Sequence, residues 1–249
     1  SFPTRRSSDL SEDPAAALQV VGKDSKGRAQ YLYSAEHSEK AAAEKFARLK
    51  AFNGVAGQIM SQAQTDMFQG KTQRVKDTAA VLRLIGETGF RVGSENDHGA
   101  DVKAHGATTL TSDHVKVDGA DLSFDFIGKK GVKITKTVTH PELARFIGDK
   151  LKTAKPGEPL FDTNDTAVRN YMAANGGDGF KVKDFRTWNG TCVALKTIAA
   201  NPEPTTKAEF TKMRAHVAKV VSGHLGNTPT VALAAYIDPA VFLRWSHLQ

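Results

Sequence analysis

The stretch LTSDHVKVDGADLSFDFIGKKGVKITKTVT (110–139) decides the fold class. HVKV, LSFDFI and VKITKTV are short runs rich in β-branched and aromatic residues, and apolar alternates with polar along them. That period of two is the mark of a half-buried strand. DGAD and GKKG stand between the runs and supply glycine to tight turns. The stretch reads as a small three-stranded antiparallel sheet. Downstream the period changes. From HPELARFIGDKL onward the spacing is helical, with helices expected over 140–152, 164–175, 184–200 and 207–225. Phe210, Met213, Val217, Val220 and Val221 share one helical face. LGNTP then breaks the pattern, and Thr228 and Pro229 suit the cap and first turn of a last helix, TVALAAYI.

Upstream, ALQVVGKDSKGRAQYLYS (17–34) reads as a hairpin turning at KDSKGR around Gly27. Residues 35–64 are Ala-rich with helical spacing, weakened in the middle by Gly54 and Gly57. GKTQRVKD (70–77) is polar and reads as a linker. Val75, Ala79, Leu82 and Ile85 then mark a helix face that Gly86 and Gly89 end, and 94–107 reads as loop. The class is α+β: a hairpin with a helix, a linker, then a mainly α-helical domain carrying one small three-stranded antiparallel sheet.

With 34 Lys+Arg against 27 Asp+Glu the chain carries +7 over 249 residues, which leans weakly towards a polyanionic partner. At 40% hydrophobic and 24% charged it can bury a core of its own. No uncharged apolar run approaches the roughly 18 residues of a membrane helix. The one cysteine, Cys192, excludes an internal disulfide and a cysteine-based zinc site, and fits a reducing compartment. SFPTRRSSDL (1–10) has no apolar core of the signal-peptide kind and reads as a translated sequencing adapter, a non-native tail expected to lack order. It holds Arg5 and Arg6 against Asp9, so +1 of the +7 is its own.

Several chemistries are excluded by spacing. GKKG lacks the remaining residues of a phosphate-binding P-loop, and GETGFRVG follows a helix rather than a strand. The eight histidines show no metal spacing, and no serine nucleophile elbow is present. What remains is a scattered set: Arg91, Lys129, Arg186, Asn227 and Tyr236. Singly, each reads more readily as a surface or capping residue. Together they make chemical sense. A tyrosine can attack a phosphodiester if the charge that develops is stabilised. Two guanidiniums can clamp the non-bridging oxygens. An ammonium on a hairpin tip can protonate a leaving 5′-oxygen. An amide can donate one further hydrogen bond.

The order R-V-G, F-x-G-K-K, K-D-F-R-T-W, then L-G-N-T-P followed by Y-I, resembles the small type IB DNA topoisomerases of bacteria and poxviruses. GATTLTSDHVKVDG and GKDSKGRAQYLY resemble them too, so the likeness runs from about residue 18 to about 243. The resemblance implies Tyr236 as a nucleophile that forms a 3′-phosphotyrosyl link. It implies Arg91 and Arg186 on the scissile phosphate, with Lys183 in support, and Lys129 as general acid. Asn227 stands where poxvirus members have His and some bacterial members Asn, and implies a hydrogen-bond donor that does not titrate near neutral pH. Gln30, Tyr31 and Tyr33 match positions that face duplex DNA in that family. The implied domains are 11–70, the remnant of a β-rich, DNA-clamping N-terminal domain, and 71–249, the catalytic domain. The implied protein is a bacterial, cytoplasmic, nucleoid-associated monomer acting on double-stranded DNA without ATP, metal or other cofactor.

Two departures bear on affinity. Leu233, Ala234 and Ala235 stand where the family usually has a basic pair before the tyrosine. The loop after Arg91, SENDHGAD, carries Glu95, Asp97 and Asp101 where lysines are common. Two other functions fit the same residues. A tyrosine recombinase or integrase shares the Arg–Lys–Arg–Tyr logic, although such enzymes usually have H-x-x-R where this chain has Lys183 to Arg186. A non-catalytic DNA-binding protein is the third reading. On the first reading the Tyr236 hydroxyl, both guanidiniums and the Asn227 amide converge on one basic cleft, and Lys129 is free to stand apart from them without DNA.

Overall fold

The structure, a computed structural model, describes residues 9–11, 13, 16–23, 29–94 and 103–248. The KDSKGR turn and the acidic loop after Arg91 lie almost wholly outside the described residues. The chain forms two compact units that divide between Arg48 and Leu49.

In the first unit β2 (Leu18–Lys23) and β3 (Ala29–Tyr33) pair antiparallel, with Gly22 opposite Gln30 and Val21 opposite Tyr31. This is the hairpin that the alternation of ALQVVG and AQYLYS predicts. A short strand β1 (Asp9–Leu10) adds to its free edge, Asp9 opposite Val21 and Leu10 opposite Val20. Those two residues therefore have order, contrary to the expectation for the tail. The unpaired N–H and C=O groups along β2 explain it, since a free strand edge accepts almost any extended segment. Helix α1 (Ala35–Gln69) follows, and Gly54 and Gly57 sit inside it in open surroundings.

The second unit holds the core. Along α1, Leu49, Phe52, Ala56, Ile59, Met60, Ala63 and Met67 are buried at helical spacing. Phe52 meets Phe185 edge-to-face with ring centroids 4.7 Å apart. Helix α2 (Gln73–Thr88) starts inside the stretch expected as a linker. Thr72 caps it, its hydroxyl accepting from the Val75 N–H at 3.2 Å. Its polar start misleads because it is satisfied from a distance. Asp77, fully buried, accepts from Lys150 Nζ at 2.8 Å with both oxygens, from the Asp162 N–H at 2.7 Å and from Gln73 Nε2 at 2.8 Å. A buried carboxylate is tolerable only when paired and bonded in this way. The remainder of α2 is buried except for the half-buried ion pair of Arg83 and Glu87, as expected for a central helix. Gly86 lies within it, and the helix ends at Gly89, whose φ of 67° few other residues adopt.

The 110–139 stretch forms the expected meander of β4 (Val115–Asp118), β5 (Asp121–Ile127) and β6 (Lys133–Thr139), in that order. Leu122, Phe124 and Phe126 are buried while Asp121, Ser123 and Asp125 face solvent, so the period of two is realised. Helices α3 (Pro141–Leu151), α4 (Asp165–Met172), α5 (Val182–Ala199), α6 (Lys207–Leu225) and α7 (Pro229–Ala235) complete the unit. Phe210, Met213, Val217, Val221, Phe242 and Trp245 are packed with Tyr236 in one cluster where α5, α6 and α7 meet. Among the described residues no helix is long and apolar enough to cross a membrane.

Candidate active site

Arg186 is the centre of the arrangement. It lies in the second turn of α5 and is only 4% exposed. Its Nη1 donates to the Gly89 carbonyl and its Nη2 to the Leu225 carbonyl. These carbonyls belong to the ends of α2 and α6, both closed by a glycine in the left-handed region, Gly89 and Gly226. Helix C-terminal carbonyls have no intrahelical donor and carry the negative end of the helix dipole, so a buried cation is well placed there.

Tyr236 caps the C-terminus of α7 and is also 4% exposed. Its ring centroid lies 5.0 Å from Arg186 Cζ. The approach depends on Gly190 of α5, where a Cβ would stand 2.6 Å from the Tyr236 carbonyl oxygen. Burial alone would push the Tyr236 phenol up. Arg186, Arg91 and Lys183 outweigh it and bring the phenol below its ordinary value, Arg186 by charge and by hydrogen bonding. Arg186 is itself lowered, by burial first and then by Arg91.

Arg91 follows the α2 cap and is exposed. Its segment is pinned by the Ala107 N–H donating to the Arg91 carbonyl and the Thr108 N–H donating to the Val92 carbonyl, both at 2.8 Å. Lys129 sits in the turn Lys129–Gly131 joining β5 to β6, closed by the Gly128 N–H donating to the Val132 carbonyl at 2.8 Å. Two adjoining cavities lie against these residues. One, of about 410 Å³, is lined by Arg91, Lys129, Arg186 and Asn227 among others. The other, of about 420 Å³, is lined by Arg91, Lys129, Lys183 and Arg186 among others. Arg186 Nε and both amide atoms of Asn227 are buried and have no hydrogen-bond partner among the described residues. Buried polar atoms are normally paired, so Arg186 Nε and Asn227 Nδ2 are donors, and Asn227 Oδ1 an acceptor, open to a ligand or to water.

The structure thus brings Arg91, Lys129, Arg186 and Asn227 to one cavity and Lys183 to the next. Lys129 is docked rather than apart. Tyr236 lines neither cavity; it lies against Arg186. Gln30, Tyr31 and Tyr33 lie on β3 in the first unit, with Tyr31 58% and Tyr33 45% exposed. Leu233, Ala234 and Ala235 leave the last turn of α7 without a cation.

The family model described as "Eukaryotic DNA topoisomerase I, catalytic core" matches residues 34–238, which include all five of the site residues from Arg91 to Tyr236. The chain belongs to the DNA topoisomerase I catalytic-core family. Relatives of this topoisomerase include the DNA topoisomerase 1B of Acanthamoeba polyphaga mimivirus, 26% identical over 92% of this chain and 72% of the viral protein. They also include the DNA topoisomerase 1B of Vaccinia virus (strain Copenhagen), 25% identical over 92% of this chain and 73% of that protein. In fold it is similar to a XerH site-specific recombinase bound to a palindromic difH substrate in a post-cleavage complex. That likeness has a TM-score of 0.50 and 11% identity, and covers 76% of this chain and 50% of the recombinase.

Two residues beside this set were not singled out from the sequence. His105 lines both cavities, with Nδ1 2.6 Å from the Thr109 carbonyl. Lys136 of β6 donates to the Thr88 carbonyl at 2.6 Å and the His224 carbonyl at 2.9 Å. Its signal was present. Ile134, Lys136 and Val138 share the inward face of β6, and a lysine in that row is out of place.

Proposed function

We propose that this chain nicks one strand of duplex DNA through Tyr236, lets the cut end turn, and reseals it. The phenol oxygen attacks the scissile phosphorus and the bond to the 5′-oxygen breaks, leaving the 3′-phosphate on the tyrosine. The phenolic proton passes to solvent, and Lys129 gives a proton to the departing 5′-oxygen. Arg91 and Arg186 hold the non-bridging oxygens, Asn227 Nδ2 donates to one of them, and Lys183 adds positive charge beside them. Resealing is the reverse. The phosphotyrosine keeps the energy of the broken bond, so the scheme calls on no ATP, metal or cofactor.

The observation that carries this reading is the position of the Arg186 guanidinium, 5.0 Å from the Tyr236 ring, with Arg91 and Lys183 also drawing the phenol towards its anion. An oxyanion developing in a water-poor site gains about 3–4 kcal/mol from one fixed donor. The unpartnered Arg186 Nε and Asn227 Nδ2 are donors left over for such an anion.

The division of labour in the proposal is the one the sequence suggests. Residues 11–70 help hold the duplex, with Gln30, Tyr31 and Tyr33 of β3 turned to it, and 71–249 carry the chemistry. The chain acts as a monomer in the bacterial cytoplasm, at the nucleoid. Relaxation of a supercoiled plasmid in EDTA tests the whole. Relaxed topoisomers from wild type and none from Tyr236→Phe are expected. Relaxation only of plasmids bearing a particular recombination site would favour a recombinase, and a mobility shift without relaxation would favour a DNA-binding protein.

A further inference from the structure

Arg186 does not hold the ends of α2 and α6 alone. One residue before each carbonyl that it binds, Lys136 binds another. Lys136 Nζ donates to the Thr88 carbonyl at 2.6 Å and the His224 carbonyl at 2.9 Å, while Arg186 takes those of Gly89 and Leu225. Two cations, one from strand β6 and one from helix α5, therefore bridge the same two helix termini at consecutive positions. The Lys136 ammonium also lies 3.1 and 3.2 Å from the two ring nitrogens of His224.

We propose that Lys136 is a positioning residue for the cleavage reaction: by tying Thr88 to His224 it fixes the spacing of the Gly89 and Leu225 carbonyls and so aims the Arg186 guanidinium at the phosphate beside Tyr236. The inference rests on the reading of Arg186 as a phosphate-binding residue. It goes beyond it in assigning work to a strand residue that touches no reacting atom. Loss of such a tie displaces a guanidinium by a fraction of an ångström or more, and misplacements of about 1 Å can cost about 100-fold in rate.

The tie depends on charge. Burial, and then Arg186, lower Lys136 to about 7. The groups that face it are His224 of α6, held neutral near pH 7 because burial, Lys136, Arg186 and Lys196 lower it to about 4, and Arg186 of α5, itself lowered by burial and Arg91. Of Lys136 and these two, only Lys136 changes charge near neutrality. As pH rises past 7 the ammonium loses a proton, one of its three donors and its attraction for the helix-end carbonyls.

The test is single-turnover cleavage of a duplex oligonucleotide, with DNA affinity measured in parallel, from pH 6 to 9. It uses the full chain with Lys136→Met, Lys136→Arg and Arg186→Ala. At pH 6.5, Lys136→Met is expected to cleave about 10- to 100-fold more slowly with its Kd within about threefold of wild type. The gap should narrow as pH rises and wild type loses its ammonium. Lys136→Arg keeps its charge, so its rate should not show the fall above pH 7 that wild type shows relative to Lys136→Met. Equal rates for wild type and Lys136→Met, a gap that does not change with pH, or parallel losses of cleavage and affinity would overturn the inference. If Lys136→Met does not fold, a wild-type and a Lys136→Arg profile of the same shape does so. Wild-type cleavage by Arg186→Ala would instead overturn the reading of Arg186 and this inference with it.

Discussion

Replacing Arg186 by lysine keeps the charge and removes the fork. The guanidinium spans two carbonyls, Gly89 and Leu225, with its two terminal nitrogens, and keeps Nε for a ligand. A lysine in that place has a shorter reach and a single nitrogen, which cannot stand where both Nη1 and Nη2 stand, so one of the two carbonyls loses its partner. A buried unsatisfied carbonyl costs about 1–3 kcal/mol, so Arg186→Lys should lose that much stability. The catalytic loss should be larger. Removing one fixed donor from a developing oxyanion costs about 3–4 kcal/mol, or about 100- to 1000-fold in rate. The lysine also has no planar pair of donors to match a phosphate. The assay is single-turnover covalent trapping on a duplex oligonucleotide with enzyme in excess, beside urea unfolding of the same sample. Expected are a midpoint shift equivalent to about 1–3 kcal/mol and cleavage slowed by two to three orders of magnitude. Cleavage within threefold of wild type, in a variant showing the stability loss, would refute the idea that the fork holds the phosphate.

Lys129→Ala should slow cleavage of an ordinary phosphodiester by about 100- to 10,000-fold, the usual range for a general acid. A 5′-bridging sulfur should restore the rate, because a thiolate leaves without a proton; an unrescued variant would remove Lys129 from that role. Asn227→Ala removes one neutral donor and should cost about tenfold, less than Arg186→Lys, given that neutral hydrogen bonds contribute about 0.5–1.5 kcal/mol; a larger loss than at Arg186 would contradict its auxiliary place. His224 is lowered from 6.5 to about 4 by burial and by Lys136, Arg186 and Lys196. The unfolded chain therefore binds its proton first as pH falls, and stability should drop from about pH 6.5 towards about pH 4. Denaturant unfolding across that window should show a shallower slope for His224→Gln, whereas parallel slopes would contradict the assignment.

What the sequence could tell depended on how local each cause is. The α6 boundaries were legible because Thr206 and Glu209 form a capping box at its start and Gly226 ends it. β5 was legible because Leu122, Phe124 and Phe126 alternate with polar residues. The start of α2 was not, since GKTQRVKD looks solvated until Lys150 and the Asp162 N–H, more than 70 residues away, supply partners for Asp77. Among the candidate site residues, Arg91, Arg186, Asn227 and Tyr236 were singled out through the order of their motifs; composition and spacing alone left each of them reading as a surface or capping residue. Lys129 was assigned correctly to a hairpin tip, but that it lines the same two cavities as Arg91 and Arg186 is a tertiary fact. Lys136 escaped because its partners are backbone carbonyls, which no side-chain motif records.

The central claim is that the Tyr236 oxygen takes the 3′ side of the cut strand. Its most direct test is to trap the adduct on a duplex oligonucleotide with detergent, digest protein and DNA, and locate the nucleotide by mass spectrometry. A nucleotide joined through its 3′-phosphate to the peptide containing Tyr236, and none in Tyr236→Phe, is the predicted result. Attachment to another residue, or through a 5′-phosphate, would contradict it.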